Sequence, residues 1–138
     1  MSAGAFAEEL AASTAALEKA GAERVRWFRA PGGHLTPMMA RVCQQQGLHH
    51  ALGDVYCNDF AVTDTDYVAR TMLRQATDGS VCIMHMPELG FREHGLESLS
   101  KLLDGLEARG MRCVTLSKLA ELAESPSAEQ NSVLVAAS

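Results

Sequence analysis

The chain has 138 residues, 47% of them apolar and 21% charged, a balance that excludes wholesale disorder and fits one globular domain whose core needs no disulfide or metal staple. Twelve Lys and Arg stand against 17 Asp and Glu, a formal charge of −5, so the long-range field repels phosphate backbones and anionic lipid, and neither nucleic acid nor membrane is expected as a partner. No apolar run approaches the ~20 residues of a membrane span, and the first residues lack the basic-then-apolar order of a secretory leader.

Residues 5–20 are rich in Ala, Glu and Leu, with Phe6, Leu10 and Leu17 near multiples of 3.6, which predicts an amphipathic helix stopping at Gly21. Val25-Arg26-Trp27-Phe28 predicts a strand, and Arg29-Ala30-Pro31-Gly32-Gly33 a loop. Thr36-Pro37 starts a second helix, in which Met38 with Val42 and Met39 with Cys43 pair four apart, and Gly47 ends it. Residues 48–52 predict a short strand, followed by a polar, turn-like run from Gly53 to Phe60. A third helix spans 64–76, with Val68, Met72 and Ala76 inward.

After the Asp78-Gly79 turn, Val81-Cys82-Ile83-Met84 is continuously apolar, as in a parallel strand covered on both faces. Leu96, Leu99, Leu103 and Leu106 stripe the longest helix, which ends at Gly110 before a strand at 111–114. Ser117 is placed to cap a last helix holding Leu119 and Leu122, and residues 124–138 read as a loose tail. The four cysteines (43, 57, 82 and 113) contain no C-x-x-C and read as buried free thiols.

Helices that alternate with buried strands imply an α/β fold with a parallel sheet, open or part of a barrel. Ligands meet such sheets at the C-terminal ends of the strands. Those ends carry a cation, Arg29, a carboxylate, Asp54 or Asp59, and an imidazole, His85. That set supports general acid–base chemistry, because a carboxylate beside an imidazole favours its protonated, proton-donating form. There is no G-x-S-x-G, and Gly32-Gly33 lacks the rest of a phosphate-cradling motif. The five histidines (34, 49, 50, 85 and 94) contain no H-x-x-H or H-x-x-x-H, so no helix face offers two imidazoles to a metal. Trp27 reads first as packing and second as a substrate platform. Arg92, Glu93 and His94 read as a solvated loop, of the kind that can line a cleft at a strand end.

Four segments carry a resemblance: Phe28 to Gly33, Leu52 to Phe60, Gly79 to His85, and Arg109 to Leu116. In order and spacing, over roughly residues 5–123, they resemble the NodB-homology polysaccharide deacetylases, carbohydrate esterase family 4. The resemblance implies a distorted (β/α) barrel that removes N- or O-acetyl groups from a polysaccharide such as chitin or peptidoglycan. It also implies a divalent metal, usually zinc, that polarises the acetyl carbonyl and activates water, an Asp base, and a His that protonates the leaving amine. On this resemblance His85 is the general acid, and Asp59 the carboxylate that tunes it, with Asp54 as the alternative. Arg29 orients the base, Pro31 shapes its loop, and Ile83 lines the acetyl pocket; Trp27 joins the substrate side only on its own residue reading as a platform.

The family's base and metal ligands come from an Asp-Asp pair and an H-x-x-x-H-type motif, and neither occurs in this sequence. Gly32 stands where many members carry an aromatic residue, and Phe60 where many carry Trp. The expectation is a partial deacetylase domain over residues 1–123 that resembles the C-terminal half of the barrel. Zinc then belongs to the complete family domain, with no metal site assembled by this chain alone and its intrinsic activity in doubt. An acetylated polysaccharide or oligosaccharide is the expected partner. The alternative is a non-catalytic carbohydrate-binding or protein-interaction module. Half a barrel would also expose the edge of the strand at 25–28, which predicts self-association or a complementary N-terminal half as partner.

Overall fold

The computed structural model describes residues 1–124 and, for the backbone alone, 132–137. Apolar side chains sort into two cores, and the chain forms two compact units, residues 1–52 and 53–138. That boundary falls inside the span read from sequence as one partial domain.

In the first unit, helix α1 (Ala3–Lys19) is capped by Ser2, whose Oγ accepts the Ala5 N–H at 3.2 Å. It buries Phe6 and Leu10, while Leu17 stays exposed. Strands β1 (Trp27–Phe28) and β2 (His49–His50) pair in parallel, Trp27 opposite His49 and Phe28 opposite His50. Both are shorter than predicted. Before β1, the Val25 N–H turns to the Glu18 carboxylate at 3.5 Å rather than to a ladder partner. Helix α2 (Pro37–Gln45) starts as Thr36-Pro37 predicts, with Thr36 Oγ1 accepting the Met39 N–H at 3.2 Å. Phe6, Leu10, Val42, Cys43 and Leu48 form the core, against which Phe28, Met38 and Met39 pack. Each fully buried Val, Leu or Phe side chain there is worth about 1.5–3 kcal/mol.

The second unit runs β3 (Val55–Tyr56), α3 (Thr65–Gln75), β4 (Val81–Met84), α4 (His94–Ala108), β5 (Arg112–Cys113), α5 (Leu116–Glu124) and β6 (Ser132–Ala137). Its strands form one parallel sheet in the order β3-β4-β6-β5. The α/β class read from the alternation is thus present. Two elements depart from the sequence reading. Val55 and Tyr56, read as part of a turn, pair with Cys82 and Ile83. Residues 132–137, read as part of a loose tail, form a strand between β4 and β5, with Val81 opposite Leu134 and Met84 opposite Ala137.

The helices of this unit also correct details. Helix α3 is capped by Asp64, whose Oδ1 accepts the Tyr67 N–H at 2.9 Å. On α4 the buried positions are Gly95, Ser98, Leu102 and Leu106, with Leu96 and Leu103 exposed, so the inner stripe is rotated from the one predicted. The contact with α3 sets that rotation: a Cβ on Gly105 would lie 2.4 Å from Leu73 Cδ1. Thr115, not Ser117, caps α5, accepting the Lys118 N–H at 3.2 Å. Among the described residues no helix is long and apolar enough to cross a membrane.

Candidate active site

Because β3 and β4 run parallel, their C-terminal ends lie side by side, and the residues that follow them meet. Asp59 follows β3 and is only 3% exposed. Its Oδ2 accepts the His85 backbone N–H at 2.7 Å, and its Oδ1 lies 2.9 Å from His85 Nδ1. An ionised carboxylate only accepts, so Nδ1 carries the proton. The His85 side chain is 33% exposed, and among the described residues nothing hydrogen-bonds its Nε2. The Phe60 ring stands edge-on to the imidazole, centroids 5.0 Å apart.

The turn that carries Asp59 is closed by the Asn58 carbonyl, which accepts the Ala61 and Val62 N–H groups, each at 2.9 Å. The Asp59 carbonyl accepts from His94 Nε2 at 2.8 Å. Neighbouring Cys57 is no competing nucleophile. Burial, and then the Asp59 charge, push its thiol up and keep it protonated.

The other candidate carboxylate lies at the opposite end of the same strands. Asp54 precedes β3 and accepts the Val81 N–H at 2.6 Å and the Ser80 hydroxyl at 3.0 Å. Asp59, and not Asp54, therefore meets the imidazole. Ile83 is buried in β4, over Gly53, where an added Cβ would lie 2.1 Å from Ile83 Cγ1. A cavity of about 230 Å³ opens beside His85, walled by Met84, Met86, Pro87, Leu99 and Leu103 among others.

The remaining predicted residues belong to the first unit. Arg29 follows β1, with its Nη1 buried and without a hydrogen-bond partner. Pro31 opens a 3-10 turn, Pro31–Gly33, in which Gly32 and Gly33 take positive φ. Trp27 is half-buried with its ring 5.3 Å from that of His49, and both Trp27 and Pro31 line a cavity of about 530 Å³ whose other walls include Phe6, Leu10 and His34.

Among the described residues no three His, Cys, Asp or Glu side chains gather as a metal site. The sequence reading missed His94: the residue taken for solvated loop is half-buried and bonded to the Asp59 backbone. Its place in the first turn after the β4 loop was the one available signal. Compared with protein-family models and with curated proteins, the chain matches none.

Proposed function

We propose that the chain is a polysaccharide deacetylase-like hydrolase that cleaves the carbon–nitrogen bond of an N-acetyl group, with His85 as the proton donor to the leaving amine. The observation that carries this reading is the Asp59–His85 pair: a buried carboxylate holding both the backbone N–H and Nδ1 of a partly exposed imidazole at a strand's C-terminal end. In the hydrolysis, water oxygen bonds to the acetyl carbon, the carbon–nitrogen bond breaks, and the amine leaves with a proton as acetate forms. With Nδ1–H fixed on Asp59, Nε2 takes the proton that the attacking water sheds as its oxygen bonds to carbon, and hands it to the nitrogen as the carbon–nitrogen bond breaks. The carboxylate is already in place, so the imidazole needs no reorientation at the moment of reaction.

The parallel sheet of the second unit is read as part of a deacetylase barrel, in line with the sequence resemblance. The resemblance assigns Arg29 to the base aspartate, Pro31 to the shape of the arginine loop and Ile83 to the acetyl pocket. It also implies a divalent metal, which the described side chains do not fit. His94 gives Nε2 to the Asp59 carbonyl, and among the described residues no three His, Cys, Asp or Glu side chains gather around one point.

The test is acetate release from N-acetylated chitooligosaccharides, with and without added zinc, for the chain and for His85→Ala. Release that disappears in the variant is the expected result. Release unchanged by the substitution refutes the role of His85. Glycan binding with no release in either condition replaces the hydrolase with the non-catalytic carbohydrate-binding module.

A further inference from the structure

We propose that His94 is a positioning residue of the same site, holding the Asp59 backbone so that the carboxylate meets His85 Nδ1 in a single geometry. The inference rests on reading His85 as the proton carrier. Asp59 lies in the Asn58-closed turn between β3 and α3, beyond the last ladder pair of β3, Tyr56 with Ile83. Its carboxylate is drawn towards β4 by the two His85 contacts, at 2.7 and 2.9 Å. Its carbonyl is drawn towards α4 by His94 Nε2 at 2.8 Å. A carbonyl only accepts, so His94 carries its proton on Nε2.

The start of α4 lies against the chain that follows β4, with Gly95 buried there. Ser98 Oγ donates to the His94 carbonyl at 3.0 Å, and a Cβ on Gly95 would lie 3.7 Å from both the His85 carbonyl oxygen and Pro87. His94 therefore ties Asp59 to an element already seated against the end of β4. Two histidines, one on each side, restrain one aspartate: His85 reads its carboxylate and His94 its main chain. Without the His94 bond, nothing else described holds the Asp59 carbonyl, and the Asn58 turn and the His85 backbone N–H alone fix the carboxylate less narrowly at Nδ1.

The experiment is long-range proton–nitrogen NMR on the full chain with ¹⁵N-labelled histidine, reading which nitrogen of His85 carries the proton when the ring is neutral. The unsubstituted chain is expected to show the Nδ1–H tautomer alone. His94→Leu should shift His85 towards the Nε2–H tautomer that a free imidazole favours, and His94→Gln, which keeps an N–H donor, should restore Nδ1–H. An unchanged Nδ1–H tautomer in His94→Leu overturns the proposal, as does equal loss in His94→Gln. If the Leu variant does not fold, His94→Asn, whose donor is too short to reach, takes its place with the same two outcomes. The tautomer is read without substrate, so a chain that shows this pattern but releases no acetate separates failure of the hydrolase reading from failure of this one.

Discussion

Asp54 and Asp59 bracket the two ends of the β3–β4 pair, and each accepts one backbone N–H and one side-chain donor from the neighbouring chain segment. At the N-terminal end the side-chain donor is the Ser80 hydroxyl, and Asp54 is exposed. At the C-terminal end it is an imidazole, and Asp59 is buried. The same clamp closes the ladder in both places. The difference lies in what the partner can do next: a serine hydroxyl keeps its proton near neutral pH, whereas an imidazole has a second nitrogen to exchange one.

Substitution can break that comparison, and the largest effect is expected on turnover. Asp59→Asn keeps the shape but loses an acceptor, and acetate release should fall by roughly 10²–10⁴, the range of general acid–base catalysis. Asp54→Asn should leave it unchanged; an equal fall in both variants would erase the distinction between the two ends.

The strand between the two carboxylates offers a second probe. Burial, then the charges of Asp54 and Cys113, push the Cys82 thiol up to about 12. At pH 9 its alkylation should run on the order of 10²–10³ times slower than that of a free cysteine, since only the thiolate reacts. Labelling followed by peptide mass spectrometry should find Cys113, which is exposed, modified first. Rapid modification of Cys82 would mean that this strand opens readily.

Stability separates the ends less widely. Asp59→Ala leaves two donors of His85 without their acceptor and should cost on the order of 3 kcal/mol. Asp54→Ala, where water can substitute, should cost about 1 kcal/mol. Denaturant unfolding measures both, and equal losses would show that burial at the His85 end carries no extra penalty.

The smallest effect belongs to the surface, where Lys101 bridges Asp66 at 2.6 Å and Glu97 at 2.8 Å. Hydrogen bonding to Lys101 holds both carboxyls below their ordinary values of 3.8 and 4.5, and the two carboxylates raise Lys101 above 10.5. The carboxylates' contribution is present above their ordinary values and lost as pH falls through the lowered ones. The Lys101 contribution is present below 10.5 and lost as pH rises through the raised value. Lys101→Met should therefore lower Tm slightly at neutral pH and flatten its fall at both extremes. A parallel Tm–pH curve for the variant would show that the knot contributes nothing.

What could be read from sequence followed the range of the interactions. The starts of α2 and α3 were legible because Thr36 and Asp64 bond to amides three residues on. The strand ends bearing Asp59 and His85 were legible as places, but the choice between Asp54 and Asp59 needed the pairing of β3 with β4. The inner face of α4 was ambiguous for a physical reason. Leu99, Leu102, Leu103 and Leu106 satisfy two overlapping stripes, and only the approach of Leu73 to Gly105 selects one. His94 was hidden because its partner is 35 positions away in sequence. Strand β3 is two residues long, and β6 takes its place from β4 and β5, so neither leaves a strong local pattern.

The position of β6 has a consequence for the order of assembly. It lies between β4 and β5 yet follows both in the chain, so β4 finds this neighbour only across a loop of about fifty residues, a closure that must be met before its contacts repay it. During synthesis β4 can pair with β3 long before residues 132–137 exist. Until they arrive, β4 has an open edge, and β5 has no ladder partner. The strand that ends at the imidazole is thus flanked on both sides only late in folding, and slow or failed insertion of one downstream segment would leave Asp59 and His85 synthesised but not yet held in register.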